Sequence, residues 1–568
     1  MPTLEQLRHS AAHLLAHALT ELFPDVQLTI GPATEDGFFY DFLLKHHLSA
    51  EELPAIEKKM KEIADRHLDI THTPMPKNEA RQLYHNNPFK LELIDGIKEE
   101  HVGIARQGNF YDLCKGGHVP NTSMLTHFIL THVSGSYWRA DRNNPVLQRI
   151  YGTAFFTQDE LEQYRTQKEL ALLYDHRTLG KQLDLFSFHQ YGPGFPFFHP
   201  KGKTILLLLT EYIRNLLNKN GYLEVETPLL LSDELWKQSG HYEHYQDYMY
   251  FCSMEKRSYA LRPMNCPGSI LLYQERPRTY KDLPLRLAEF GKVHRYELSG
   301  VLHGLFRTRA FTTDDGHIFC TEEHILDEVQ SLIKLIKHVF HYFNFTELHI
   351  KVATRPDNAM GDPRLWEEAT KALYEALDFT KTPYTIAHKE GAFYGPKIEF
   401  HIKDSIGRSW QCGTIQIDFF QSLNFNLNYT TADNSKKHPI IIHRAIYGSL
   451  ERFFGILIEH FRGKLPFWLS PVQAKILPIL EEQHTYAHHI RSLLTSHGIR
   501  TLVDTSTKSL SGQIKTAQQE AVPLMIIVGK KEAESHTVTL RLLNGKQLAS
   551  VPLDSIIDNI QSQFNEAS

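Results

Sequence analysis

From Leu4 to Leu22 the apolar residues Leu4, Leu7, Ala11, Leu14, Ala18 and Leu22 recur every three or four positions. That spacing predicts a helix, with His9, His13 and His17 along one neighbouring face. Next, IGPATEDGFFYDF and the stretch from Val102 to Ile150 interleave turn residues with short apolar runs, the pattern of a strand-rich domain ending near Ala154. From Gln158 to Asp184 the chain is charged, helix-favouring and poor in Gly and Pro, a helical connector. Within IEFHIKDSIGRSWQCGTIQIDF, Ile398, Phe400 and Ile402 alternate with polar residues, as in antiparallel strands with one face on a core. Helices are predicted from about 203 to 219 and after His443. After KLPFWLSPVQ the order becomes strand (AKILPIL), helix (near Tyr486 to Ser496), strand (IRTLVD), helix, strand (LMIIVG), hairpin (TVTLRLLNGKQLASVPL) and helix. These patterns divide the chain into residues 1–155, a linker 156–175, residues 176–463 and residues 464–568.

The chain has 568 residues, too many for one core, and no internal repeat or low-complexity tract. Apolar residues at 42% and charged residues at 22% match folded globular domains and exclude a disordered or collagen-like chain. Five cysteines are too few and too scattered for a disulfide framework, so a reducing compartment and metal binding are expected. The amino-terminal stripe is interrupted by Arg8 and three histidines, unlike a signal peptide, and the longest apolar run, Ile205 to Leu209, is far too short to span a bilayer. A cytoplasmic location with no membrane partner is therefore expected. The net charge of −5 argues against non-specific nucleic-acid binding but leaves room for local basic faces.

Two groups of residues carry chemistry. VHRYE at 293–297, followed by Arg307 and Arg309, collects guanidiniums near a glycine-containing loop, suited to a polyphosphate; an ion-paired, solvated hairpin would use the same residues. HSAAH places His9 and His13 at i and i+4, and CKGGH adds Cys114 and His118. Together they form a possible zinc set, even a zinc hydrolase centre, or else a helix face lined with histidines beside a buried cysteine.

GSLERFFG at 448–455 resembles motif three of the class II aminoacyl-tRNA synthetases, VHRYE resembles motif two, and Pro228 in VETPLL resembles the motif one proline of the dimer interface. RPMNCPGS, TTDDGHIFC, YGPKIEF, WQCGTIQIDF and IIHRAIYGSLER are together similar to the threonyl-tRNA synthetases, along essentially the whole chain. The resemblance implies a multidomain α+β protein: a strand-rich editing domain, a seven-stranded-type antiparallel class II sheet with flanking helices that binds ATP bent, and a carboxy-terminal α/β anticodon-binding domain. It implies a homodimer that ligates L-threonine to tRNA(Thr) with ATP and Mg2+. A binding paralogue without activity, or a prolyl or seryl relative, is disfavoured by the intact ATP positions and by Cys266, Asp315, His317 and His443.

By the same resemblance Arg295 holds the α-phosphate, Glu297 the adenine amino group, Phe311 stacks on adenine, and Arg307 and Arg452 hold the outer phosphates. Cys266, His317 and His443 would bind one zinc ion with a position left open for substrate, a set that their wide sequence spacing alone would not reveal. Asp315 would accept the threonine hydroxyl, Tyr394, Lys397, Gln411 and Gln416 would make other substrate or adenylate contacts, and His241 would serve transfer to tRNA. Two positions depart from the family pattern: Thr313 stands where glutamine is frequent, and Ser269 where histidine is usual.

Serine differs from threonine by one methyl, worth only about 1 kcal/mol of transfer energy, so a serine-removing site is expected. HxxxH with CxxxH resembles the editing domain of bacterial threonyl-tRNA synthetases, related to that of the alanyl enzyme. This implies that His9, His13, Asp112, Cys114, His118 and Lys90 hydrolyse mischarged seryl-tRNA and that Tyr40 contacts the terminal adenosine or substrate; no metal is implied there. WLSPVQ and the α/β order after it resemble the anticodon-binding domain of the threonyl, prolyl, histidyl and glycyl enzymes, with Glu532 and Arg541 at base-reading positions. Since the chain begins almost at the editing domain, the small ubiquitin-like domain of many relatives is expected to be absent.

Overall fold

The computed structural model describes residues 2–564, apart from 35, 142, 143, 358, 405 and 406. It divides into two compact units, Met1–Glu169 and Leu170–Ser568.

In the first unit the expected helix spans Leu4–Leu22 and starts from a capping box, in which Thr3 Oγ1 accepts from the Gln6 amide at 3.2 Å and Gln6 Oε1 from the Thr3 amide at 2.9 Å. Its buried stripe, including Leu7, Ala11, Leu14 and Ala18, shares a core with Phe38, Tyr40 and Phe42 of a strand and Ile56 and Met60 of the helix Leu53–Ala64. The sheet beneath runs in the order Gln27–Leu28, Phe38–Leu43, Val146–Phe155, His127–Tyr137. A second antiparallel sheet, Ile70–Pro76 with His101–Gln107 and Phe110–Leu113, packs its own small core with the helices Lys77–Leu83 and Pro88–Gly96. The stretches read as strand-rich do carry strands of both sheets, and helices from the segments between and before them complete an α+β domain.

The connector is two helices, Gln158–Leu173 and His176–Gln182, broken where Asp175 caps the second by accepting from the Arg177 amide at 2.7 Å. The first is almost wholly exposed, whereas the second buries His176 and Leu179.

The second unit is built on an eight-stranded sheet, ordered Leu223–Glu224, Leu285–His294, Ala310–Cys320, Ile440–Ser449, Ser409–Asp418, Lys397–Lys403, Leu348–Ala353, Thr385–Ala387. Its six central strands are antiparallel, as the alternation predicted. The seven-stranded expectation is corrected by two short edge strands, each added parallel. One face packs Ile398, Phe400, Ile415, Ile417 and Ile442 against the helices Ile325–Tyr342 and Leu450–His460. Each fully buried side chain of this kind contributes about 1.5–3 kcal/mol. The helix expected after His443 begins only at Leu450, since Ile440–Ser449 is a strand buried along most of its length.

Residues 474–564 of the same unit form a five-stranded sheet, ordered Thr501–Val503, Ala474–Pro478, Leu524–Val528, Thr537–Leu542, Gln547–Pro552. Its first three strands are parallel and the closing hairpin is antiparallel, as the α/β rhythm predicted.

Candidate active sites

On the free face of the eight-stranded sheet, strand register lines up residues far apart in sequence. His317 lies directly across from His443, His443 from Gln416, and Gln416 from Lys397. Directly paired residues share a face, so this row of four crosses four strands on one side. One step along, Asp315 pairs with Ala445 and Ala445 with Thr414. Cys266, the first residue of the helix Cys266–Gln274, completes a buried trio with His317 and His443 whose ligand atoms lie within 4.8 Å of one another.

This trio suits a metal ion. His317 Nδ1 is 3.0 Å from Ser269 Oγ, and His443 Nε2 is 3.1 Å from Asp418 Oδ2, leaving one nitrogen of each ring for a ligand bond. Asp418 Oδ1 is itself held by the amides of Phe420 and Gln421 at 2.8 and 2.9 Å. Burial, with His443 and Arg444 beside it, lowers the His317 pKa well below that of an ordinary histidine, so the ring is unprotonated. Burial also raises the Cys266 thiol, so a bound cation would be needed to hold the thiolate.

A cavity of about 440 Å³ opens over this row and is also lined by Arg295, Glu297, Arg307, Phe311, Asp315, Tyr394, Gln411 and Arg452. The Arg295 guanidinium sits 5.0 Å from the Phe311 ring centre. Arg307 Nε donates to Glu297 Oε2 at 3.0 Å. Arg452 Nε donates to the Phe306 carbonyl at 3.0 Å and its Nη1 to the Gln411 carbonyl at 3.2 Å. Tyr394 donates to Gln416 Oε1 at 2.6 Å, and Lys397 pairs with Glu399 at 2.6 Å. One cavity therefore gathers the phosphate-type and carboxylate-type residues singled out in the sequence.

Two expectations change. Arg309 is no part of the cavity lining, because its guanidinium donates to the carbonyls of Glu297 and Pro193 at 2.8 and 3.0 Å and braces the loop backbone. His241 is fully buried behind the wall, its Nδ1 2.8 Å from Ser239 Oγ and its Nε2 3.9 Å from Cys266 Sγ, and burial lowers its pKa to about 3. Sequence reasoning also passed over His176. Its Nδ1 is 2.8 Å from Glu459 Oε1, its Nε2 accepts from the Leu305 amide at 3.0 Å, and its ring centre is 4.1 Å from that of Phe306. It thereby ties the 303–307 loop to the helix carrying Arg452.

In the first unit His9, His13, Cys114 and His118 converge, with ligand atoms all within 4.8 Å of one another. Gly116 and Gly117, at φ +96° and +85°, turn the CKGGH loop so that His118 Nε2 comes to 3.1 Å from Cys114 Sγ; His9 Nε2 lies at 3.5 Å. Beside them Lys90 and Asp112, each 2% exposed, form a buried ion pair. Tyr40 donates to Asp112 Oδ2 at 2.5 Å, and His13 Nδ1 lies 3.5 Å from the same oxygen. Burial, reinforced by His118, His9 and Lys90, keeps His13 unprotonated, and burial lowers His118 to about 4. His17 leaves the group: its ring stacks on Phe110 at 5.0 Å and meets Glu21 at 3.2 Å. Ser10, the unremarked serine of HSAAH, lies 3.3 Å from His118 Nδ1, and His72, which belongs to no motif, lies 3.1 Å from the Cys114 carbonyl; both adjoin the site.

In the carboxy-terminal sheet Glu532 caps its own helix, accepting from the Gly529 amide at 3.1 Å and from Thr539 Oγ1 at 3.2 Å. Arg541 lies on the strand Thr537–Leu542, across from Met525 and Gln547.

Comparison with known proteins agrees with this arrangement. The profile of the tRNA synthetase class II core domain (G, H, P, S and T) matches residues 250–461. That of the anticodon binding domain matches 473–563, and that of the threonyl and alanyl tRNA synthetase second additional domain matches 102–151. The threonine–tRNA ligase of Thermotoga petrophila is 47% identical over 98% of this chain and 88% of its own length. That of Caldanaerobacter subterraneus is 47% identical over 98% of this chain and 87% of its own. The RNA binding domain of a threonyl-tRNA synthetase from Cryptosporidium parvum aligns with a TM-score of 0.66 at 39% identity, covering 68% of this chain and 98% of that structure. With near-complete coverage at this identity, and three profiles in the order the folds require, the chain belongs to the threonine–tRNA ligase family.

Proposed function

We propose that the chain ligates L-threonine to tRNA(Thr) on the eight-stranded sheet and hydrolyses mischarged seryl-tRNA(Thr) in the first unit. The observation that carries this is the single cavity in which Arg295, Arg307, Arg452, Glu297 and Phe311 adjoin the Cys266–His317–His443 trio. In the first step a threonine carboxylate oxygen attacks the α-phosphorus of ATP, giving threonyl-adenylate and pyrophosphate. In the second, a hydroxyl at the tRNA 3′ end attacks the adenylate carbonyl and AMP leaves. Arg295 steadies the α-phosphate, Arg307 and Arg452 hold the outer phosphates with Mg2+, Phe311 and Glu297 receive adenine, and Gln411 and Lys397 brace the adenylate. Tyr394, Gln416 and Asp315 receive the amino acid. Cys266, His317 and His443 would hold zinc, which when bound supplies open positions suited to an amino group and a hydroxyl together and so disfavours valine. Since His241 is buried behind the wall, its role in transfer would run through the trio rather than through direct contact.

In the first unit, water attacks the seryl ester carbonyl and the tRNA hydroxyl leaves. Unprotonated His13 is a base for that water, while Lys90, Tyr40 and the Cys114–His118–His9 group shape and polarise the site. We assign residues 1–155 to editing, 156–175 to a linker, 176–463 to catalysis and 464–568 to anticodon binding through Glu532 and Arg541. We further infer a cytoplasmic homodimer; exposed Leu223 and Leu229, flanking Pro228, favour an interface there. Among the described residues no helix is long and apolar enough to cross a membrane.

The test is ATP–pyrophosphate exchange with threonine, serine, proline and valine on protein of measured zinc content. Threonine-dependent exchange with about one zinc per chain, lost in Cys266→Ser, is expected; exchange with no amino acid, or zinc retained in that variant, would overturn the reading.

A further inference from the structure

By the resemblance described above, Thr313 stands where glutamine, a longer side chain, is frequent. Here its short hydroxyl is used sideways. Thr313 Oγ1 donates to Asp315 Oδ2 at 2.8 Å, while the other acceptor in reach, the Gly291 carbonyl, lies at 3.3 Å. The single hydroxyl proton goes to the nearer, charged oxygen. Asn265 Nδ2 closes the triangle, donating to Asp315 Oδ2 at 2.6 Å and to Thr313 Oγ1 at 2.8 Å. Asn265 is 1% exposed and can come this close only because Gly291 has no side chain: a Cβ there would stand 2.3 Å from Asn265 Nδ2. The reverse amide orientation would set Asn265 Oδ1 against a carboxylate, so the assignment of Nδ2 as donor is fixed by charge.

Both donors converge on Oδ2. Among the described residues Asp315 Oδ1 accepts no hydrogen bond, and Asp315 lines the cavity beside His317. We propose that Thr313 is a positioning residue for substrate selection: with Asn265 it pins Asp315 Oδ2 and leaves Oδ1 as the one oxygen offered to the hydroxyl of the bound amino acid. A carboxylate free to rotate would offer either oxygen in a range of directions, and the hydroxyl contact would weaken without any change at the nucleotide end. This rests on the assignment of Asp315 to the amino-acid end of the cavity.

The test compares wild type, Thr313→Val, Thr313→Ala and Thr313→Ser in amino-acid-dependent ATP–pyrophosphate exchange, with the KM values for threonine, serine and ATP and the zinc content measured for each. Loss of a hydrogen bond to a charged group corresponds to roughly tenfold. Thr313→Val and Thr313→Ala are therefore expected to raise the KM for threonine by about that factor, with the KM for ATP and the zinc content unchanged, and Thr313→Ser to restore it. An unchanged threonine KM in both hydroxyl-free variants overturns the proposal. So does an equal rise in both KM values, or a serine variant as impaired as valine, since these mark a merely structural role. A wild-type chain with no threonine-dependent exchange overturns the assignment of the cavity itself, and this proposal with it.

Discussion

His13→Ala and Cys114→Ala each remove one member of a group that meets only in the first unit, so threonine activation by the second unit should be spared. Deacylation of purified seryl-tRNA(Thr) should fall by a factor of about a hundred or more; unchanged deacylation in both would refute the assignment. Lys90→Met leaves Asp112 buried and charged beside Tyr40, and should destabilise the first unit by about 3 kcal/mol in chemical denaturation. These residues differ in how openly the sequence displays them. HSAAH and CKGGH are short enough for spacing alone to imply convergence, one by the pitch of a helix and the other by a two-glycine turn. Lys90, Asp112 and Tyr40 are single residues on three separate elements, and only the family resemblance drew them together. Ser10 sat unremarked inside HSAAH, and His72 had no signal, because what brings it to the site is the packing of neighbouring backbone.

At the scale of elements, the His176 strut joins a loop to a helix through one imidazole that donates at one nitrogen and accepts at the other. His176→Ala breaks both bonds at once. The loop bearing Arg307 should loosen and the KM for ATP rise about tenfold, while the KM for threonine, set at the far end of the cavity, stays near wild type. A parallel loss in both would show that the strut supports the whole fold instead. The alternation of Ile398, Phe400 and Ile402 made the antiparallel core of the sheet legible. Its parallel edge strands were not, being only two or three residues long, and neither was the strand Ile440–Ser449, whose near-continuous burial erases any period. The helix Leu4–Leu22 was legible from its apolar stripe, whose first and last members are the ends of the helix.

For the molecule as a whole, acid should weaken both units, because each buries histidines in the neutral form; in the editing unit it acts through His17 and His118. Burial lowers His17 and His118 to about 4 from the 6.5 of an unfolded histidine. Both stay neutral when folded, so the unfolded chain binds more protons below pH 6.5 and stability falls as pH drops from there toward 4, by about 2 kcal/mol after allowance for partial exposure. Hydrogen exchange on the full chain should show amides of Leu4–Leu22 losing protection between pH 7 and 5; equal protection across that window would contradict this. The order of the folds was legible because each segment has its own rhythm, whereas the active site was not, because its members meet only after the sheet has closed. That closure imposes a rule of parity. His317, His443, Gln416 and Lys397 share a row through strand pairing, so segments between the strands can lengthen or shorten freely, yet one residue added inside a strand ahead of its row member would turn that side chain to the opposite face unless a bulge absorbs it, as one does opposite Phe400 and His401. The chemistry therefore tolerates length variation in loops, and within the four strands it tolerates odd-numbered change only where a bulge absorbs it, a mark that related chains should carry wherever their lengths differ.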